Sequence, residues 1–311
     1  MKDRLVIGSR GSQLALWQTN FVKTNLENRF PKKSFEIKII RTTGDDQLES
    51  ALSKIGDKGV FTRQIEAELL SGGIDLAVHS LKDLQTEQPQ GLKIGAVCER
   101  EVPNDALVSK QGVSIDDLPR NAKVATGSLR RRSQLLHHRP DLEIAEIRGN
   151  VPTRLKKFDE SNLDGVILAY AGLKRLGFES RISEVIPFNI MVPAVGQGAI
   201  AVEVREKDKQ TIEILEKLEH RQTRVCVTAE RAFLRTLEGG CQVPIGAYAF
   251  LEGGQIVLEG VVGSLDGTMV FREKTTGRDA ESLGTDLAEA LIEKGAGRLL
   301  EEIRVQTTAA S

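Results

Sequence analysis

Across the first two thirds of the chain, apolar runs of strand length alternate with amphipathic stretches of helix length, and few folds accommodate that alternation. Residues 5–9, 35–41, 74–79, 92–98 and 105–109 read as strands. Between them, 13–29 reads as a helix with Leu14, Trp17 and Phe21 on one face and Ser12 as its N-cap, and 61–70 reads as a second helix stopped by Gly72 and Gly73. The alternation continues with a strand over 122–126, a helix over 129–138 halted by Pro140, and a strand over 142–147. A helix with Pro152 in its first turn, a strand over 164–169 and a helix carrying Leu173 and Leu176 complete it. Strands alternating with helices predict an α/β protein of mostly parallel sheets covered on both faces.

The last ninety residues change character. A helix over 222–237 leads into strands over 245–251, 255–262 and 269–275, with Gly253-Gly254 and Asp266-Gly267 as hairpin turns and a closing helix over 281–293. That is a small α+β unit. A chain of 311 residues exceeds what one hydrophobic core usually serves. Pro187, Pro193 and two glycines mark 186–198 as a crossover, and the strand over 199–204 returns to the first sheet, which makes the second domain an insertion. The expected domains are 1–98 with 199–216, 104–192, and 221–311.

No apolar run approaches the ~20 residues that span a bilayer, so no membrane contact is expected. The N-terminus lacks the apolar core of an export signal, and three scattered cysteines (Cys98, Cys226, Cys241) make neither a disulfide set nor a metal site. A cytoplasmic protein with no metal is expected. Net charge is −1, yet residues 120–157 carry ten Lys/Arg against three Asp/Glu. A local basic surface on a neutral chain favours a bound anion over nucleic acid, and no aromatics interleave the basic run.

Polar clusters fall where strands end and helices begin, the edge at which open sheets bind ligands. They are Gly8-Ser9-Arg10-Gly11-Ser12, His79-Ser80-Leu81-Lys82-Asp83, Thr126-Gly127-Ser128-Leu129-Arg130-Arg131-Arg132 and Arg148-Gly149-Asn150-Val151-Pro152-Thr153-Arg154. Glycines admit a ligand to backbone amides, and arginines offer forks for planar oxyanions, so the implied ligand bears several carboxylates or phosphates. Asp83 is the acid among them. It reads either as a helix cap or as a group that stabilises a substrate cation or moves a proton. Cys241 follows paired glycines on a loop, which suits covalent attachment, whereas Cys226 between two valines suits a core.

These motifs resemble the porphobilinogen deaminase family along essentially the whole chain. The likeness is carried by Ile7-Gly8-Ser9-Arg10-Gly11-Ser12-Gln13-Leu14-Ala15, His79-Ser80-Leu81-Lys82-Asp83, Gly127-Ser128-Leu129-Arg130-Arg131 and Arg148-Gly149-Asn150-Val151 with Thr153-Arg154-Leu155. Leu168-Ala169 with Ala171-Gly172-Leu173, Arg175-Leu176-Gly177, Gly196-Gln197-Gly198-Ala199 and Gly240-Cys241 with Pro244 extend it. The resemblance implies two α/β domains similar to periplasmic binding proteins, an active-site cleft between them, and a small C-terminal α+β domain carrying the cofactor cysteine. It implies a dipyrromethane held by Cys241 through a thioether, with Asp83 as the catalytic group. Lys82, Ser80, Thr126, Ser128, Arg130, Arg131, Arg148 and Gly149 would bind that cofactor. Arg10, Ser12, Arg148, Arg154, Ala169, Gly172, Arg175, Gln197 and Gly198 would bind the substrate, porphobilinogen. The segment over 42–59, rich in Gly, Asp and Lys, reads as a lid with Lys54, Lys58 and Phe61 as its contacts. A monomer is implied, and the alternative is a non-catalytic solute-binding protein of the same fold.

Overall fold

A computed structural model of the chain describes residues 2–42, 62–238 and 243–309, with side chains through 306. The chain divides into two compact units: the described residues of one are 2–42, 62–101 and 198–224, and those of the other are 102–197, 225–238 and 243–309. In chain order the first unit contributes β1 (Arg4–Ser9), β2 (Ser34–Ile39), β3 (Leu76–Ser80) and β4 (Leu92–Val97). The second contributes β5 (Asp105–Ser109), β6 (Lys123–Ala125), β7 (Glu143–Ala145), β8 (Gly165–Ala169) and β9 (Glu184–Val185). The chain then returns to the first for β10 (Ile200–Arg205) and ends in the second with β11 (Ile245–Glu252), β12 (Gln255–Gly263) and β13 (Val270–Gly277). The helices are α1 (Gln13–Arg29), α2 (Arg63–Leu70), α3 (Leu129–His138), α4 (Val151–Asp159), α5 (Tyr170–Arg175), α6 (Lys209–Leu215), α7 (Arg221–Thr236), α8 (Ala280–Leu291) and α9 (Gly297–Ala309).

In the first unit the strand order is β2-β1-β3-β10-β4. β1 runs parallel to β2 and β3, whereas β10 runs antiparallel to both β3 and β4. The sheet is therefore mixed, which corrects the expectation of mostly parallel pairing. The register gives the reason: Ile200 pairs with Ser80, so β10 enters at the end where β3 finishes and runs back along it. The second unit repeats the device. Its five-stranded order is β7-β6-β8-β5-β9, with β6 parallel to β7 and β8, and β5 antiparallel to β8 and β9.

Strand alternation sends the first sheet's side chains to two different layers. Leu5, Ile7, Leu76, Val78, Ile200, Val202 and Val204 pack with Val22 and Leu26 of α1 and Ile214 and Leu215 of α6. Ala77 packs in the other layer with Ile65 and Leu69 of α2. Ser12 caps α1, its hydroxyl accepting from the Ala15 amide at 3.3 Å. The apolar face read for α1 is not the buried one. Trp17 and Phe21 stack on each other with ring centroids 5.6 Å apart and stay 38% exposed, while Gln18, Thr19, Val22 and Leu26 are buried. Polar anchors turn the helix this way. Thr19 donates to the Ser9 hydroxyl at 2.7 Å, and Gln18 bonds Ser80 at 2.8 Å.

In the second unit the antiparallel meander β11-β12-β13 turns at Gly253-Gly254, both with positive φ, opposite the Glu252–Gln255 pair. Phe233 of α7, Leu283, Leu287 and Leu291 of α8, and Leu299, Leu300 and Ile303 of α9 form its core with Ala247, Ala249, Ile256 and Leu258. Gly295, at φ +111°, breaks the helical path between α8 and α9. The sequence reading stopped at that break and missed α9, together with α6 and the two-residue β9.

Candidate functional site

β1 and β3 are parallel neighbours, with Ile7 opposite Leu76 and Gly8 opposite Ala77, so their C-terminal ends open at one edge of the sheet. Arg10 and Ser12 follow β1, and Lys82 and Asp83 follow Ser80 at the end of β3. A cavity lies at this edge, lined by Arg10, Ser12, Gln18, His79, Ser80 and Asp83 among others. Ser80 stands at the N-cap position of the 3-10 turn Leu81–Asp83, and Asp83 ends that turn. The cap reading of Asp83 therefore fails. Its exposed carboxylate faces the cavity, where it is the acid beside Arg10 and the two serines.

The second unit builds a comparable edge. β6 lies between β7 and β8, all three parallel, which sets the loops after them side by side. Thr126 and Ser128 follow β6, with the Thr126 hydroxyl accepting from the Ser128 amide at 3.2 Å. Arg148 and Gly149 follow β7, where Gly149 adopts φ +116°, a value that disfavours any side chain. Asn150 then caps α4, accepting from the Thr153 amide at 2.9 Å and its hydroxyl at 2.8 Å. Arg154 donates back to the Gly149 carbonyl at 2.7 Å, and Arg148 donates to Glu146 at 3.0 Å. Ala169 ends β8, Gly172 is buried in α5, and Arg175 closes that helix half-buried.

Arg130 and Arg131 are placed differently from the expectation. Both are buried, 4% and 5% exposed, and both bind the fully buried Asp105. Arg130 Nη1 donates to Asp105 Oδ2 at 2.7 Å and to the Val192 carbonyl at 2.8 Å. Arg131 donates to Asp105 Oδ1 from Nε at 3.0 Å and from Nη2 at 2.7 Å, and its Nη1 donates to the Ile167 carbonyl at 2.9 Å. Burial alone would raise the Asp105 carboxyl. The Arg130 and Arg131 charges, with hydrogen bonds from Arg130 and Gln197, outweigh it and hold the group well below the usual carboxylate range. Much of the guanidinium capacity read as ligand-binding is therefore spent inside the protein. Sequence reasoning missed Asp105, whose one clue was an acid opening an otherwise apolar strand.

Gln197 and Gly198 also have internal tasks. Gln197 is 1% exposed and donates to Asp105 at 2.9 Å and to the Pro103 carbonyl at 2.7 Å. Gly198 has φ +87°, and a Cβ there would stand 2.4 Å from the Glu101 carbonyl oxygen. Cys98 and Cys226 lie in the cores, 4% and 7% exposed. Cys241, Lys54, Lys58 and Phe61, and the lid segment beyond Thr42, lie outside the described residues. Among the described residues no helix is long and apolar enough to cross a membrane.

Comparison with known proteins matches this arrangement to two family models in sequence order. Residues 5–213 match "Porphobilinogen deaminase, dipyromethane cofactor binding domain", and 224–293 match "Porphobilinogen deaminase, C-terminal domain". A porphobilinogen deaminase of Chlorobium luteolum is 53% identical over 310 residues, covering 98% of this chain and 99% of its own. One from Pelotomaculum thermopropionicum is 53% identical over 306 residues, covering 98% of each. Among solved structures, the VFT2 domain of Bordetella pertussis BvgS shares 15% identity at a TM-score of 0.41, over 69% of this chain and 85% of its own, and no assignment rests on it. With both models matched and about half of all positions shared along nearly the full length, the chain belongs to the porphobilinogen deaminase family.

Proposed function

We propose that this porphobilinogen deaminase, a transferase, joins four porphobilinogen molecules head to tail and releases hydroxymethylbilane, using Asp83 as its acid and Cys241 as its anchor. Family membership makes dipyrromethane its cofactor and removes the rival reading of a solute-binding protein. The donor set fits that group: pyrrole N–H donors flanked by acetate and propionate arms need an acceptor set among cationic and hydroxyl donors. Asp83 beside Arg10, Ser12 and Ser80 is such a set, and this single juxtaposition carries the proposal.

When bound, dipyrromethane supplies the ring carbon to which the first substrate is joined. Asp83 accepts hydrogen bonds from pyrrole N–H groups and stabilises the positive charge that develops as ammonia leaves, work done best by a fixed charge at a cavity edge. In the first unit Arg10 binds carboxylates and the Ser12 hydroxyl adds a donor; in the second Arg148 binds carboxylates, with Ser128, Arg154 and Arg175 as further donors. Asp105 acts through others by fixing the Arg130 and Arg131 guanidinium planes. The thioether to Cys241, action as a monomer and a cytoplasmic setting belong to this same proposal. The test is turnover of purified protein with porphobilinogen, with ammonia and linear tetrapyrrole both measured. Four ammonia per tetrapyrrole supports it, and no ammonia release overturns it.

A further inference from the structure

The layer between α2 and the first sheet is built on Ile65, Leu69, Ile74, Ala77 and Leu92, and it also holds a buried polar cluster. His79 projects to the same face of β3 as Ala77, and Ala77 pairs with Glu203 of β10, so the imidazole and the carboxylate share that face. His79 Nε2 lies 3.3 Å from Glu203 Oε2. Glu66 reaches the same layer from α2 and is 5% exposed, while His79 is 5% exposed and Glu203 fully buried. Neither Glu203 oxygen, nor His79 Nε2, finds an aligned hydrogen-bond partner among the described residues. Such groups are costly to bury, and a fold that wanted only packing here would use leucine. Burial raises the Glu66 carboxyl above its ordinary value; the Glu203 charge adds to this, and Thr62, His79 and Arg63 oppose it.

His79 also lines the cavity that Asp83 faces, which gives the buried cluster an opening. Joining two pyrroles replaces a C–N bond on one and a C–H bond on the other by one C–C bond. The nitrogen leaves as ammonia with its bonding pair, and the ring carbon sheds a proton whose bonding pair stays in the ring. That proton needs a base near the cavity. We propose that Glu66, His79 and Glu203 form a buried proton store that takes up this proton through His79 and later returns it to solvent. The inference rests on the function proposed above. The charged groups around His79 are Glu203 from β10 and Glu66 from α2, the latter under the influence of Arg63, with Arg10 and Asp83 lining the cavity and Lys82 beside Asp83 in the chain.

The test follows the His79 ring nitrogens by NMR across pH in the full-length protein as purified, beside the pH profile of porphobilinogen consumption. A store must be empty to work, so turnover falls at low pH with a midpoint that coincides with the cluster's own titration. In Glu203→Gln the imidazolium loses its neighbouring anion. The imidazole's NMR midpoint should then fall, and the acid limb of turnover should move down with it. Glu66→Gln should move both in the same direction by less, and serves if the Glu203 variant does not fold. A merely structural cluster would shift the imidazole while leaving the acid limb in place, and that result overturns the proposal. Wild-type protein that consumes no porphobilinogen would instead sink the functional reading itself.

Discussion

Arg131 meets Asp105 through two of its nitrogens converging on one carboxylate oxygen, Nε at 3.0 Å and Nη2 at 2.7 Å, at a point sealed from solvent. Removing either partner strands a charge. Asp105→Ala should cost about 3–5 kcal/mol of stability in denaturant unfolding, the usual loss when one member of a buried pair is deleted. Because the folded-state carboxyl titrates below its ordinary value of 3.8, its contribution is whole above that pH and is lost as pH falls toward the folded value. Wild type should therefore lose stability in acid more steeply than Asp105→Asn. Parallel curves would show that the pair carries no such weight.

Asp83→Asn keeps the shape and an acceptor while removing the charge. Turnover should fall by roughly a hundredfold or more, with the melting temperature nearly unchanged. A fall of less than about fivefold would leave Asp83 without a transition-state role.

Among the described residues Arg148 pairs with Glu146, and its side chain is 20% exposed. Arg148→Ala should fold normally yet stall in cofactor assembly or chain growth, at a cost of about 1.5–3 kcal/mol per lost charge-assisted contact. Wild-type turnover with an intact adduct would remove Arg148 from the site.

Gly198→Ala puts a methyl group against the Glu101 carbonyl at a positive φ. Strain of about 1–3 kcal/mol is expected, read as a lower unfolding midpoint. An unchanged midpoint would show that the loop yields without cost, and would return Gly198 to a ligand-contact role.

Unfolded, reduced wild-type protein should weigh more than its sequence by two linked pyrrole units, since a thioether withstands thiol reductants. The extra mass should map to the Cys241 peptide and vanish in Cys241→Ser, with turnover. Cys98→Ala and Cys226→Ala should keep it, because both thiols are core residues. An adduct on either of them would overturn the anchor assignment.

Local punctuation made much of this fold legible. Ser12 and Pro140 bracket helices whose ends, at 13–29 and 129–138, agree with the structure to the residue. Strand direction was not legible, because it depends on Ile200 meeting Ser80 at a separation of 120 positions, and no local pattern records that. The site divides the same way. Which residue types gather at strand ends could be read from the motifs. How far Arg130 and Arg131 are free for a ligand could not, since that is decided by Asp105 on another strand. The Trp17–Phe21 face misled for a related reason: hydroxyl and amide anchors at Ser9 and Ser80 orient α1 more strongly than its apolar stripe.

The position of β10 between β3 and β4 sets a timetable for synthesis. When the ribosome has made the first hundred residues, β3 and β4 exist but the strand that must lie between them is still about a hundred codons away. Until residues 200–205 emerge, both strands present unpaired edges, and the whole second sheet must be made in the interval. Non-local closure of this kind is slow and leaves a nascent chain open to edge-to-edge aggregation. A chain terminated anywhere before residue 200 therefore yields a first sheet with a gap in it, whatever the fate of the rest.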